Sequence, residues 1–198
     1  TLFIYERTTQ MAQAKTLTAQ ELEQVFAYVN KNRYAERNRA ILAMSFYAGL
    51  RVAEIASLRM GDVLNLDGTI KSEIRLSAAQ TKGKHPRTVF VSQRLRAELE
   101  RYIMTRHVKN ADVPFFHTEN RLGFTPNGLC VWFFQLYKNA GISGGSSHSG
   151  RKFFITTLAN KGIGVRILAS LAGHKNISVT QRYIDVNDEQ KRNAVELI

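Results

Sequence analysis

The sequence predicts a mainly α domain carrying one small antiparallel β-sheet. Three observations carry that prediction. Apolar residues recur at helical spacing through most of the 198 residues. Ser, Thr or Pro at helix starts and Gly at helix ends mark where the helices begin and stop. Only between Leu66 and Val91 does the pattern shift to short β-branched runs separated by a polar turn.

The segment 1–15 shows no clear period and reads as a leader or linker, with Met11 a candidate natural start. It is charged and has no apolar core, so no signal peptide is read there. Thr18 and Glu21 form a capping-box pattern, and Leu22, Val25, Phe26 and Val29 follow on one face. A second helix is expected from Ala35 to Ala48, with Ile41, Leu42, Met44, Ser45 and Phe46 inward and Gly49 as its stop. In LRVAEIASLRMGDV, Val52, Ile55 and Leu58 share a helix face, with Arg51 and Glu54 together at its start. Thr69–Ile70, Ile74–Leu76 and Thr88–Val91 read as strands, the last two joined by TKGKHPR. Helices are then expected from Ser92 to about His107 and from Thr125 to Ala140, the latter opened by Pro126 at a first-turn position. After a Gly/Ser connector at Gly141–Ser147 come three more: Ser149–Lys161, Val165–Leu171 and Ser178–Asp185, the last carrying Tyr183. The tail Asp188–Ile198 can form a short amphipathic helix with Ala194, Val195 and Leu197 apolar. No boundary divides 16–198 into two cores.

Net charge is +12 and the pI about 10.1, which points to a polyanion as partner. The positive charge is scattered, so a folded basic surface is expected and nucleic acid is the leading reading. An anionic membrane surface is the weaker one, because no strongly basic amphipathic helix stands out. No apolar run is long enough to span a membrane. Cys130 is the only cysteine, which excludes an internal disulfide and fits a reducing cytoplasm. One Cys, scattered His and no clustered carboxylates argue against a metal site, and no Gly-rich phosphate loop is present, so no cofactor is expected.

The stretch most able to do chemistry is HSGRKFFITTLANKGIGVRILASLAGHKNISVTQRY. His148 and Arg151 lie about one helical turn apart, His174 follows LAG, and Tyr183 comes nine residues later. Arginine clamps phosphate through a planar fork of donors. A tyrosine hydroxyl becomes a nucleophile when a base takes its proton and cations hold the phosphate. Each group also has an ordinary reading: His148 as a cap, His174 as a helix terminator, Arg51 as the surface partner of Glu54, Tyr183 as a half-buried packing residue.

These motifs together, with GLRVAEI and TKGKHPRTV upstream, resemble the tyrosine recombinase (phage integrase) family over about Thr16 to the C-terminus. The resemblance implies the catalytic-domain fold of that family and site-specific breaking and rejoining of double-stranded DNA through a 3′-phosphotyrosyl intermediate. It makes Arg51, Arg151 and His174 the phosphate holders, with Glu54 orienting Arg51. It makes Lys82 the proton donor to the leaving oxygen, with Lys84 its near competitor, His148 an acid/base partner and Tyr183 the nucleophile. Lys84, Arg87, Lys152 and Lys175 are expected to contact DNA. The resemblance also implies a tetrameric synapse on DNA and a cytoplasmic, bacterial or phage setting. Many family members carry an N-terminal core-binding domain, and nothing in this sequence is long enough to be one. A type IB topoisomerase and a non-cleaving accessory DNA-binding protein remain as alternatives.

Overall fold

The computed structural model describes residues 15–106, 110–120, 122–184 and 188–196, without the side chains of 188–190 and 193. Its helices are α1 (Ala19–Asn30), α2 (Ala35–Ala48), α3 (Val52–Ser57), α4 (Met60–Val63), α5 (Gln93–Ile103), α6 (Pro126–Asn139), α7 (Ser149–Asn160), α8 (Val165–Ala172), α9 (Ile177–Gln181) and α10 (Asp188–Val195). Strands β1 (Glu73–Leu76) and β2 (Arg87–Phe90) pair antiparallel, with Ile74 opposite Val89 and Leu76 opposite Arg87.

Local chemistry sets several of these boundaries. Thr18 Oγ1 accepts from the Glu21 N–H while Glu21 Oε2 accepts from the Thr18 N–H, so both halves of the capping box form. Thr125 caps α6 with Pro126 in its first turn. Gly49 and Gly173 end α2 and α8 in left-handed backbone, each with φ of 62°.

Helix α2 is the centre of the molecule. From Arg37 to Ala48 it is buried on almost every side, Arg39 and Tyr47 being the partial exceptions, rather than along one apolar stripe as expected. It packs against α1, α5 and α7. Its crossing with α7 is unusually close. A Cβ placed on Gly150 would lie 2.2 Å from Ser45 Oγ and 3.0 Å from the Phe46 ring. That approach brings Arg151, the next residue, to the C-terminal end of α2.

Four expectations are corrected. Thr69–Ile70 is not a strand; Ile70 makes a single bridge to Leu64. The Arg51 segment forms two short helices, because Leu58 turns to extended backbone with ψ of 135° between them. Helix α5 stops at Ile103, and His107 lies outside the described residues. Helix α9 stops at Gln181, so Tyr183 sits in the turn that follows it. Asp185, Leu197 and residues 1–14 lie outside the described residues; Ala194 and Val195 on α10 are exposed.

The tight α2–α7 crossing yields a prediction. Gly150→Ala should lower unfolding free energy in urea titrations by on the order of 1–3 kcal/mol, the usual range for overpacking. Ser45→Ala should be close to neutral, because Ser45 Oγ is buried without a hydrogen-bond partner.

Candidate active site

The C-terminal end of α8 gathers three arginines from three parts of the chain. Arg87 Nη1, from β2, donates to Leu171 O at 2.8 Å. Arg151 Nη2, from α7, donates to Ala172 O. Arg51 Nη2, from the N-cap of α3, reaches Gly173 O at 3.5 Å. Consecutive carbonyls at a helix C-terminus have no partner inside the helix and carry its partial negative charge, so they attract cations. Arg151 is also fixed by Gly49 O, to which its Nη1 donates at 2.6 Å.

Glu54 lies beneath this cluster with its side chain fully buried. Its Oε1 accepts from Arg51 Nη1 at 3.0 Å, and its Oε2 from the Arg51 backbone N–H at 2.8 Å. The same two oxygens accept from Arg87 Nε at 3.2 Å and Nη2 at 2.6 Å. Burial alone would raise the Glu54 pKa, but Arg87 and then Arg51 outweigh it and hold it below the ordinary value. Arg87 is therefore reassigned. Expected on the DNA surface, its side chain is only 8% exposed and spent on Glu54 and Leu171. Gly173 makes room for it, since a Cβ there would meet Arg87 Cδ at 2.6 Å.

His174 follows at once. Its Nε2 lies 2.9 Å from Arg151 Nη2 and its Nδ1 2.8 Å from Thr180 Oγ1. Burial, then Arg151, Arg51 and Arg87, push its pKa down to about 4, so it is neutral at pH 7. The Tyr183 ring stacks near it, centroids 6.1 Å apart and planes 19° from parallel. The turn bearing Tyr183 is pinned by its N–H to Thr180 O at 3.0 Å and by Thr156 Oγ1, which donates to Tyr183 O at 3.3 Å. Tyr183 also lies within electrostatic reach of Arg151, whose own pKa is drawn down first by burial and then by Arg51.

His148 stands at the N-cap position of α7 without a side-chain cap hydrogen bond, its backbone N–H donating to Ser146 Oγ at 3.2 Å. Desolvation lowers its pKa, followed by the charges of Arg151, Lys82 and Arg51. Lys82 thus approaches the same centre, although its hairpin tip is exposed. Thr81 closes that tip, accepting from the His85 N–H at 3.1 Å and donating to His85 O at 2.7 Å. A cleft of about 470 Å³ runs between the hairpin and the α8 end, lined by Arg51, Thr81, Gly83, His85, His174 and Lys175 among others. Lys84 and Lys175 are exposed and Lys152 half-buried. The chain thus brings together Arg51, Glu54, Arg151, His174 and Tyr183, with His148 within electrostatic reach of Arg151, Lys82 and Arg51. Thr180 and Thr156 were missed by the sequence reading; the one signal for Thr180 was its place three residues before Tyr183, and Thr156 had none.

Comparison with known proteins follows the same line. The model of the phage integrase family matches residues 15–190. The chain belongs to the phage integrase family. Curated members similar to it include tyrosine recombinase XerA of Pyrococcus horikoshii, 29% identical over 92% of this chain and 60% of that protein. Another is tyrosine recombinase XerC of Lactobacillus delbrueckii subsp. bulgaricus, 29% identical over 84% of this chain and 57% of that protein. The chain thus spans about three fifths of the length of these relatives. Among solved structures, a XerA recombinase crystal structure superposes with a TM-score of 0.73 at 24% identity, covering 92% of this chain and 64% of that one. The Tn1549 transposon integrase in complex with a circular intermediate DNA gives 0.73 at 20% identity, covering 96% and 67%. These likenesses establish that the family's catalytic-domain fold is the fold of this chain. Among the described residues, no helix is long and apolar enough to cross a membrane.

Two predictions follow from the buried charges. Arg87→Met removes two of the hydrogen bonds to the buried Glu54 carboxylate and leaves it Arg51 alone as ion-pair partner, which should cost on the order of 1–3 kcal/mol at pH 7 in urea unfolding. In the unchanged chain Glu54 titrates below its unfolded value of 4.5, so its stabilisation is present above that pH and is lost on further acidification. The gap between variant and parent should therefore narrow below pH 4.5. His174 has the opposite charge type with the same sign of effect. Its folded pKa of about 4 lies below the ordinary 6.5, so the unfolded chain takes up the extra proton first and stability falls as pH drops from 6.5 toward 4. His174→Gln should flatten part of that fall in thermal unfolding.

Proposed function

We propose that this chain is the catalytic domain of a site-specific DNA recombinase and that Tyr183 is its nucleophile. One observation carries the reading most: Tyr183 lies beside His174 and within the field of Arg151, where two further arginines surround a single buried carboxylate. Such a site holds more positive than negative charge and is suited to a phosphodiester and to the charge that builds up in its transition state.

In the proposed reaction the Tyr183 Oη attacks a backbone phosphorus, forming a P–O bond to the 3′ phosphate, and the P–O5′ bond breaks. Arg51, Arg151 and His174 hold the non-bridging oxygens. His148, neutral at pH 7, takes the phenolic proton. Lys82 gives a proton to the departing O5′. A 5′ hydroxyl from a partner strand then attacks the phosphotyrosine, Tyr183 leaves with a proton returned, and no bond energy is lost. Lys175 lines the cleft, and it is proposed with Lys84 and Lys152 as a contact to the phosphate backbone. Strand exchange between two duplexes calls for several protomers, and we propose a tetrameric synapse on double-stranded DNA in a bacterial or phage-infected cytoplasm.

The test uses a pool of nicked duplexes with randomised sequence, from which the cleaved 3′-side strand cannot be resealed. A denaturation-resistant protein–DNA adduct is expected, lost in Tyr183→Phe while DNA binding persists; an adduct that survives Tyr183→Phe contradicts the assignment. Plasmid relaxation without strand exchange would point instead to topoisomerase chemistry. Lys82→Met should slow cleavage by ~10²–10⁴-fold, the range for a lost general acid. A sulfur in place of the leaving 5′ oxygen needs no proton and should restore most of that rate. If Lys84→Met shows this pattern and Lys82→Met does not, the donor is Lys84.

A further inference from the structure

His174 faces opposite demands at one ring nitrogen. In the chain without DNA, Arg151 Nη2 stands 2.9 Å from His174 Nε2. A guanidinium has only donors, so Nε2 accepts and the single proton of the neutral ring sits on Nδ1. Nδ1 then donates to Thr180 Oγ1 at 2.8 Å. Holding a phosphate oxygen, the role proposed above and on which this inference rests, reverses the pattern. That oxygen only accepts, so Nε2 must carry the proton and Nδ1 must receive a hydrogen bond.

Thr180 is placed to serve both states. Its side chain is on α9 and is fully buried, so no solvent molecule substitutes for its hydroxyl. A hydroxyl can accept in one state and donate in the other, which neither an amide fixed in place nor an apolar group can do. The residue is also tied to the nucleophile, because its backbone carbonyl accepts from the Tyr183 N–H at 3.0 Å. The charged and titratable groups facing the His174 ring are Arg151 from α7, Arg51 from the start of α3, Arg87 from β2 and Tyr183 from the turn after α9. None of them can donate to Nδ1 from the Thr180 side.

We propose that Thr180 is a positioning residue whose hydroxyl rotates from acceptor to donor, letting His174 change tautomer when a phosphate oxygen replaces Arg151 at Nε2. The hydroxyl, and not merely the packing of α9, sets the orientation of His174 against both the phosphate and the Tyr183 ring. Loss of such an outer partner of a working histidine typically costs ~10–100-fold in activity.

The test has a spectroscopic and a kinetic arm. Nitrogen-15 imidazole spectra of the free chain, with the His174 signal assigned by its loss in His174→Gln, should show the proton on Nδ1. Saturation with orthovanadate as the phosphate stand-in should move it to Nε2. In single-turnover cleavage of a duplex recovered from the nicked pool, Thr180→Val should be ~10–100-fold slower with unchanged DNA affinity. Thr180→Ser should be restored to near the parent rate. Parent-like cleavage by Thr180→Val overturns the proposal, as does a His174 ring that keeps its proton on Nδ1, or gains a second one, when vanadate binds. If Thr180→Val fails to fold, the spectra of the unchanged chain and the Thr180→Ser rate still decide it. If the unchanged chain cleaves nothing, the recombinase reading fails, and the vanadate spectra then judge the tautomer change alone.

Discussion

Three backbone carbonyls at the end of α8, on Leu171, Ala172 and Gly173, hold the site together. Each takes a guanidinium from a different segment: Arg87 from the hairpin, Arg151 from α7, Arg51 from the loop after α2. A helix of eight residues ending in left-handed Gly173 thus becomes the meeting point of elements far apart in sequence. The turn must be glycine for two reasons that coincide here. Its φ of 62° disfavours a side chain, and any Cβ would displace Arg87. The same turn delivers His174 to Arg151 and Thr180, so the placing of His174 and helix termination are one feature.

The charge balance follows from that arrangement. Three guanidinium groups face one fully buried carboxylate, Glu54, and otherwise only carbonyl dipoles. Dipoles satisfy hydrogen bonds without cancelling charge, so the pocket stays positive. The low pKa of His174 and the lowered pKa of His148 both report desolvation followed by this field. A neutral His174 imidazole is the result at physiological pH, with one proton for its two ring nitrogens. In the proposed reaction a phosphodiester supplies the missing negative charge.

Much of this was legible in the sequence. The capping box at Thr18 and Glu21, the Thr125–Pro126 start and the stops at Gly49 and Gly173 follow from backbone chemistry that acts within four residues. The ordered set from Arg51 to Tyr183 was legible because each motif kept its local spacing. What the sequence hid depends on distance. Nothing near Arg87 reveals that Glu54, 33 residues earlier, turns its carboxylate toward it, so an arginine after a basic turn looked like a DNA contact. The burial of α2 was masked by Arg37 and Asn38, polar residues that tertiary packing covers. Thr180 looked like any helix residue, because its partner on His174 comes into range only through the glycine turn. The third strand failed because Ile70 finds one bridging partner, Leu64, and no ladder.

Soaking crystals of the chain with orthovanadate and locating the anion tests the central claim most directly. The account predicts vanadate between Arg51, Arg151 and His174, within bonding reach of Tyr183 Oη, while the carbonyls of Leu171, Ala172 and Gly173 keep their arginines. Vanadate bound elsewhere on the basic surface, or bound here only after those arginines let go of the α8 end, would contradict it.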